Sequence, residues 1–132
     1  MAKNYSFKTP NFIAEWNEAV VYPEFKTIGK NKWVQLAKKG RRINITSVSQ
    51  IKDVENTDAA MPKNFTKLLP EKQLRAIAQI GSGAIELPLV ARYSDGFRIL
   101  LGGNTRLTGM MFILGYASFW QFEVPDEVAN LA

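Results

Sequence analysis

The sequence predicts a single compact α+β domain. Segments whose apolar residues recur at helical spacing alternate with short apolar or alternating runs that are typical of strands. A length of 132 residues falls in the usual range for one domain, and a hydrophobic content of 46% can supply its core. No internal repeat or low-complexity linker divides the chain.

Two helices are predicted in the first 40 residues. Thr9 is suited to cap the first helix and Pro10 to occupy its first position. Apolar residues then recur at helical spacing until Pro23 interrupts the pattern. The second helix is predicted over residues 30–39, with Gly40 as its C-terminal cap.

A strand, a loop and a third helix are predicted over the middle of the chain. Residues 43–48 alternate between apolar and polar side chains, as a half-buried strand does. Residues 52–67 are polar and predict a loop with a helical turn. Pro70 then opens a helix over residues 71–79, which ends in the glycines of residues 81–83.

The last part of the chain predicts a hairpin, a helix and a final strand. Two apolar runs, residues 87–93 and 97–101, flank an Asp95-Gly96 turn, which is a strong hairpin signal. Residues 105–114 predict an apolar helix that ends at a glycine, and residues 117–124 predict a strand.

The positive charge lies in the N-terminal half. Up to Lys67 there are twelve Lys and Arg residues against six Asp and Glu, and from Leu68 onward there are five against six. Residues 26–42 contain basic side chains and no acidic one, which suits a nucleic acid or another phosphate-bearing partner, or else a solvated face. The candidate nucleic-acid contacts are Lys30, Lys32, Lys38, Lys39, Arg41 and Arg42. Trp33 lies among them, where it could stack on a base.

The absence of two residue types excludes several chemistries. The chain has no cysteine, which excludes disulfides, thiolate metal sites and cysteine nucleophiles. It has no histidine either, which excludes His-based triads and His-ligated metals. No apolar targeting segment or membrane-length run is present, so we expect a cytoplasmic protein without a membrane partner.

A glycine turn is the most informative local feature. A predicted strand runs into Gly102 and Gly103, and a helix begins directly after them. Glycines permit close backbone approach, and the first N–H groups of a helix can bind an anion. Asn104 or Thr105 could cap this helix, and Arg106 adds a charged fork suited to phosphate. The alternative is an ordinary tight turn before a capped helix.

The order of these elements resembles the core of the ParB/sulfiredoxin superfamily. Pro88 with its following apolar residues matches the family's short strand motif, and Gly103-Asn104-Thr105-Arg106 matches its G-x-x-R box. Residues 114–116 match its last turn, and residues 43–48 its first core strand. The resemblance covers residues 43–124. It implies a ParB-like domain with a small mixed sheet over residues 43–132, preceded by a helical, basic extension over residues 1–42.

The resemblance implies a site for a nucleoside triphosphate, ATP or CTP, with Mg²⁺. The residues that it assigns to cofactor binding are Gly102, Gly103, Asn104, Thr105, Arg106 and Lys63. Two departures qualify it: the box lacks the cysteine of sulfiredoxins, which excludes sulfinic-acid reduction, and it lacks the Glu-Arg-Arg of partition proteins. The helix-turn-helix that partition proteins carry has no counterpart in these 132 residues.

The resemblance also implies a carboxylate near the phosphates, from the loop after the first core strand. Glu55 and Asp53 are the catalytic candidates in that loop, with Asp58 nearby. A carboxylate there could hold Mg²⁺ or accept a proton from a hydroxyl nucleophile. The alternative is that each is an ordinary solvated side chain.

Three functions follow from these observations. The leading one is a nucleotide- or phosphate-binding domain that acts on or near nucleic acid, with phosphoryl transfer or nucleotide hydrolysis if it is an enzyme. The second is a non-catalytic DNA-binding or regulatory module. The third is a metal-dependent nuclease, which requires that Asp53, Glu55 and Asp58 converge. The small size suggests a phage or mobile-element origin, and the oligomeric state is left open.

Overall fold

The computed structural model describes residues 5–132, in which helices and strands alternate. The strands are β1 (Ser6–Lys8), β2 (Arg41–Ile45), β3 (Val54–Glu55), β4 (Ala84–Glu86), β5 (Leu89–Tyr93), β6 (Arg98–Gly102) and β7 (Ala117–Val124). The α-helices are α1 (Phe12–Ala19), α2 (Pro23–Ile28), α3 (Lys30–Lys38), α4 (Pro70–Ser82), α5 (Asn104–Leu114) and α6 (Asp126–Ala129). Short 3-10 helices span Val48–Ile51 and Pro62–Lys67. The predicted α+β fold class is confirmed.

A mixed sheet organises the domain. Its five strands follow the order β2-β7-β5-β6-β3, with antiparallel pairing of β2 to β7 and of β5 to β6. The β7–β5 and β6–β3 pairs are parallel. β1 and β4 form a separate parallel pair. Because β6, an interior strand of the sheet, runs directly into α5 through a glycine, it positions the turn that the sequence singled out.

Helices cover both faces of the five-stranded sheet. On one face α4 and α5 pack against Val90, Leu100 and Phe119. On the other face α1, α2 and α3 pack against Leu89 and Phe122. The side chains that these three helices bury are Phe12, Ala19, Phe25, Trp33 and Ala37. The helices of residues 1–42 thus form one layer of the domain, and the boundary expected at residue 42 falls within β2.

The N-terminal helices differ from the prediction in their ends. Asn11 caps α1, because its side chain accepts a hydrogen bond from the Ala14 N–H, so the prediction of Thr9 as the cap is wrong. Pro23 does interrupt the first helical pattern, but it also opens α2, where its fixed φ suits the first helical position. The helix predicted over residues 30–39 is confirmed as α3.

The predicted hairpin is confirmed between β5 and β6. Gly96 has a φ of +92°, and the Asp95 carboxylate accepts a hydrogen bond from the Phe97 N–H. The strand predicted over residues 87–93 begins two residues later, as β5, because Leu87 and Pro88 form the link between β4 and β5. None of the helices between residues 5 and 132 combines the length and the apolar character that crossing a bilayer requires.

Candidate functional site

The glycine turn joins β6 to α5 as predicted. Gly102 ends β6, and Gly103 precedes α5 with a φ of +91°, a conformation that glycine adopts without strain. No side chain within residues 5–132 caps this helix, so the prediction of Asn104 or Thr105 as the cap is wrong. The N–H groups of the first turn of α5 therefore lack a capping side chain.

A cleft opens on both sides of this turn. It consists of two adjoining cavities of about 470 and 480 Å³, which share Glu18, Lys72, Gly103 and Asn104 in their walls. Cavities of roughly 300–1,000 Å³ are typical of small-molecule sites. The cleft is therefore large enough for a nucleotide.

The two walls of the cleft carry opposite charges. α4 contributes the exposed side chains of Lys72 and Arg75, and Gln79 lies one turn further along the same helix. α1 contributes Glu15 and Glu18 on the opposite side. The floor is the glycine turn itself. A ligand in this cleft would meet cations on one side and hydrogen-bond acceptors on the other.

Arg106 lies at the base of the cleft and is only partly engaged. Its Nε donates a 2.9 Å hydrogen bond to the Glu86 carbonyl oxygen, which fixes the direction of the side chain. Its Nη2 is buried and has no hydrogen-bond partner within residues 5–132. The Glu15 Oε1 atom lies 4.0 Å from this nitrogen, beyond hydrogen-bond distance. A buried, unsatisfied guanidinium nitrogen fits an anionic group.

Glu15 occupies the space in front of the turn. A Cβ added to Gly102 would overlap the Glu15 carboxylate, so this carboxylate rests directly against the glycine backbone. The Glu15 side chain is only 14% exposed. Burial raises the pKa of Glu15 above its ordinary value, Arg106 opposes this rise, and the neighbouring Glu86 and Glu18 carboxylates add to it.

Asn104 has a structural role besides its place in the box. Its Oδ1 accepts a 2.9 Å hydrogen bond from the Asp58 N–H, and its Nδ2 donates to the Asp58 carboxylate at 3.0 Å. The two side chains thus tie the loop after β3 to the first turn of α5. Asp58 is consequently engaged in this contact with the helix start.

The two catalytic candidates occupy different environments. Asp53 forms a two-pronged ion pair with Arg98, at 2.6 and 2.9 Å, which holds the pKa of Asp53 below its ordinary value. Glu55 is exposed on β3, directly before Asn56, a residue of the cleft wall. No group of three or more acidic side chains within residues 5–132 is arranged to hold a metal ion. The convergence that a nuclease centre requires is therefore not found there.

Comparison with family models, curated proteins and solved structures finds no match to this chain. The ParB/sulfiredoxin resemblance accordingly stays a prediction based on the order of elements and the G-x-x-R box. The cleft and its charged walls are the features of this chain that bear on its function.

The remaining predicted site residues lie away from the cleft. Lys63 is an exposed residue of the 3-10 helix Pro62–Lys67, and neither cavity is lined by it. Trp33 is fully buried, so the hypothesis that it stacks on a base is wrong. The six candidate nucleic-acid contacts are all exposed, on α3, at its end and at the start of β2: Lys30, Lys32, Lys38, Lys39, Arg41 and Arg42.

Sequence reasoning missed the charged residues of both walls. Lys72 and Arg75 are three residues apart on α4, and Glu15 and Glu18 have the same spacing on α1. This spacing places each pair on one helix face, which is a readable signal. Which face turns towards the glycine turn depends on the packing of α1 and α4, and the spacing does not contain that information.

Proposed function

We propose that the cleft binds a nucleotide, with its phosphates at the start of α5. The observation that carries this proposal is the unsatisfied Arg106 Nη2 at the base of a cleft whose α4 wall presents Lys72 and Arg75. Phosphate oxygens are suited to all three cations and to the N–H groups of a helix N-terminus. Thr105, at the start of α5, lines the same cavity and offers a hydroxyl.

The acidic wall favours a nucleotide over a bare phosphate. Glu15 and Glu18 would repel a small anion that filled the whole cleft. Ionised carboxylates accept hydrogen bonds, and the hydroxyl groups of a ribose are suitable donors. The exposed Glu18 carboxylate, which borders both cavities, is our candidate for the ribose contact.

Binding is the part of this proposal that the contacts support best. A general base needs a pKa near the working pH, whereas the Arg98 ion pair lowers the pKa of Asp53. Glu55 is the better of the two catalytic candidates, because it is exposed and lies beside the cleft residue Asn56. Any phosphoryl transfer or hydrolysis would use Glu55 with the cations of the cleft.

The decisive experiment is a calorimetric screen with ATP and CTP, each in the presence of Mg²⁺. We expect binding that weakens by about 30-fold or more in a Lys72→Ala, Arg75→Ala double variant, because two charged phosphate contacts are lost. Both side chains are exposed, so the double variant should fold normally.

The matched control is Lys63→Ala. It also removes an exposed lysine, but outside the cleft, and its affinity should stay within about twofold of the wild type. No binding of either nucleotide at millimolar concentration, by the wild type and by a Glu15→Ala variant that removes the carboxylate next to Gly102, would overturn the proposal. Equal losses in Lys63→Ala and in the double variant would show a general charge effect instead.

A second candidate function is nucleic-acid binding through the exposed basic residues of α3 and β2. Arg42 is held in place, because its Nε donates to Asn44 and its guanidinium lies 4.1 Å above the Phe7 ring. Its neighbour Arg41 is also exposed, so the start of β2 presents two cations to solvent. This surface is separate from the glycine turn and could act with or without a nucleotide.

Fluorescence anisotropy with a labelled duplex tests this second function. We expect the affinity to fall steeply with salt, and the salt slope to shrink by about 3 to 4 when four basic residues are neutralised. The variant replaces Lys38, Lys39, Arg41 and Arg42 with glutamine. A Lys63→Gln, Lys67→Gln variant is the control on another surface. An unchanged slope in the fourfold variant would exclude this surface as the contact.

A further inference from the structure

We propose that the Glu15 carboxylate is an internal competitor for the phosphate: it occupies the glycine turn in the free protein and must leave before a ligand phosphate can enter. This inference rests on the proposed function and adds its regulation. It assigns to Glu15 a role opposite to that of the cations around it.

The first support is steric. The Glu15 carboxylate lies so close to Gly102 that a Cβ there would overlap it. Glycines in a phosphate-binding turn permit close approach of an anion to the backbone. At Gly102 the Glu15 carboxylate of the same chain already occupies the position that a ligand anion would take.

The second support is electrostatic. Arg106 Nη2 is buried, lacks a hydrogen-bond partner within residues 5–132, and lies 4.0 Å from Glu15 Oε1. The carboxylate therefore partly neutralises the guanidinium without satisfying it. A phosphate oxygen within hydrogen-bond distance of Nη2 would accept the hydrogen bond that Glu15 does not accept.

The third support is the unfavourable position of Glu15 itself. Its side chain is mostly buried, and Glu86 and Glu18 are like charges nearby. Burial raises the pKa of Glu15, which means that the ionised form is held at a cost. Rotation of the side chain into solvent would relieve the burial and the repulsion but give up the attraction of Arg106, so displacement is feasible and still has a cost.

Calorimetry with ATP and CTP on the wild type and on two Glu15 variants tests the inference. We expect Glu15→Gln and Glu15→Ala to bind about tenfold more tightly than the wild type, because no internal anion has to be displaced. The alanine variant excludes the possibility that a glutamine amide stays in the turn. α1 tolerates both residues, which are good helix formers.

Glu71→Gln is the comparison that separates competition from general charge. It removes one exposed negative charge next to Lys72 on α4, and neither cavity is lined by Glu71. General repulsion predicts that Glu71→Gln tightens binding as well. Displacement of an internal competitor predicts tightening in the Glu15 variants and unchanged affinity in Glu71→Gln.

The outcomes distinguish the two proposals. Wild-type binding with no tightening in either Glu15 variant would overturn the competitor and leave the nucleotide site standing. Binding in the Glu15 variants alone would support both proposals, with Glu15 as a strong block. Absence of binding in the wild type and in both variants would overturn the nucleotide site and the competitor together.

Discussion

Replacing Trp33 with alanine should lower the free energy of unfolding by about 3–5 kcal/mol. Trp33 is fully buried between the sheet and the N-terminal helices, where its ring contacts Trp16, Phe25 and Phe122 at centroid distances of 5.8 to 6.3 Å. Alanine would leave a cavity of nearly the whole indole and remove three aromatic contacts. Denaturant unfolding of the full chain measures the loss.

Trp33→Phe should cost much less than Trp33→Ala. The indole Nε1 of Trp33 is buried without a hydrogen-bond partner within residues 5–132, so phenylalanine removes an unsatisfied donor while keeping a ring. Leaving such a donor unpaired costs about 1–3 kcal/mol, which offsets part of the lost packing. Lys32→Ala, at the exposed neighbouring position, should stay within about 0.5 kcal/mol of the wild type.

A loss below about 1 kcal/mol in Trp33→Ala would contradict this assignment. It would mean that the N-terminal helices detach from the sheet at little cost, as a true extension could. A large loss would instead show that residues 1–42 and the sheet unfold as one unit. The experiment therefore measures how much the layer of N-terminal helices, predicted from the sequence to be an extension, contributes to the free energy of unfolding.

The elements with strong local signals could be predicted from the sequence. The helix α3, the hairpin turn at Gly96 and the strand β7 follow from periodicity and turn chemistry. The missed elements are short. β1 has three residues and exists because it pairs with β4, a partner distant in sequence, and such pairing leaves no periodicity to detect.

The role of the N-terminal helices was hidden by their composition. α3 carries four lysines within or next to its span, which directed attention to an external, phosphate-bearing partner. The same helix buries Trp33 and Ala37 against the sheet. A helix can present both faces at once, so the charge pattern alone does not distinguish a layer of the core from a binding extension.

The candidate site shows the same division between local and non-local information. The glycine turn and Arg106 could be found because a strand, two glycines and a helix follow one another directly. The partners of these residues come from α1 and α4, which are far away in sequence. Asp53 is a further example, because its ion pair with Arg98, 45 residues away in sequence, could not be predicted from the loop in which Asp53 lies.

Replacing Gly103 with alanine should lower the free energy of unfolding by about 2–4 kcal/mol. Two effects add at this position. The φ of +91° is unfavourable for an L-residue, at about 1–2 kcal/mol. A Cβ would also lie 2.8 Å from the Pro88 Cα, and the Pro88 backbone is held by a 2.8 Å hydrogen bond from the Trp120 N–H to its carbonyl.

Gly115→Ala separates these two effects. Gly115 ends α5 with a φ of +77°, but a Cβ there would have no atom within 4 Å, so only the backbone strain of about 1–2 kcal/mol applies. Parallel denaturant titrations of both variants give the difference that belongs to the contact with Pro88. Equal losses in the free energy of unfolding would mean that Pro88 moves aside for the new methyl group. Glycine would then be required at position 103 only because of its positive φ.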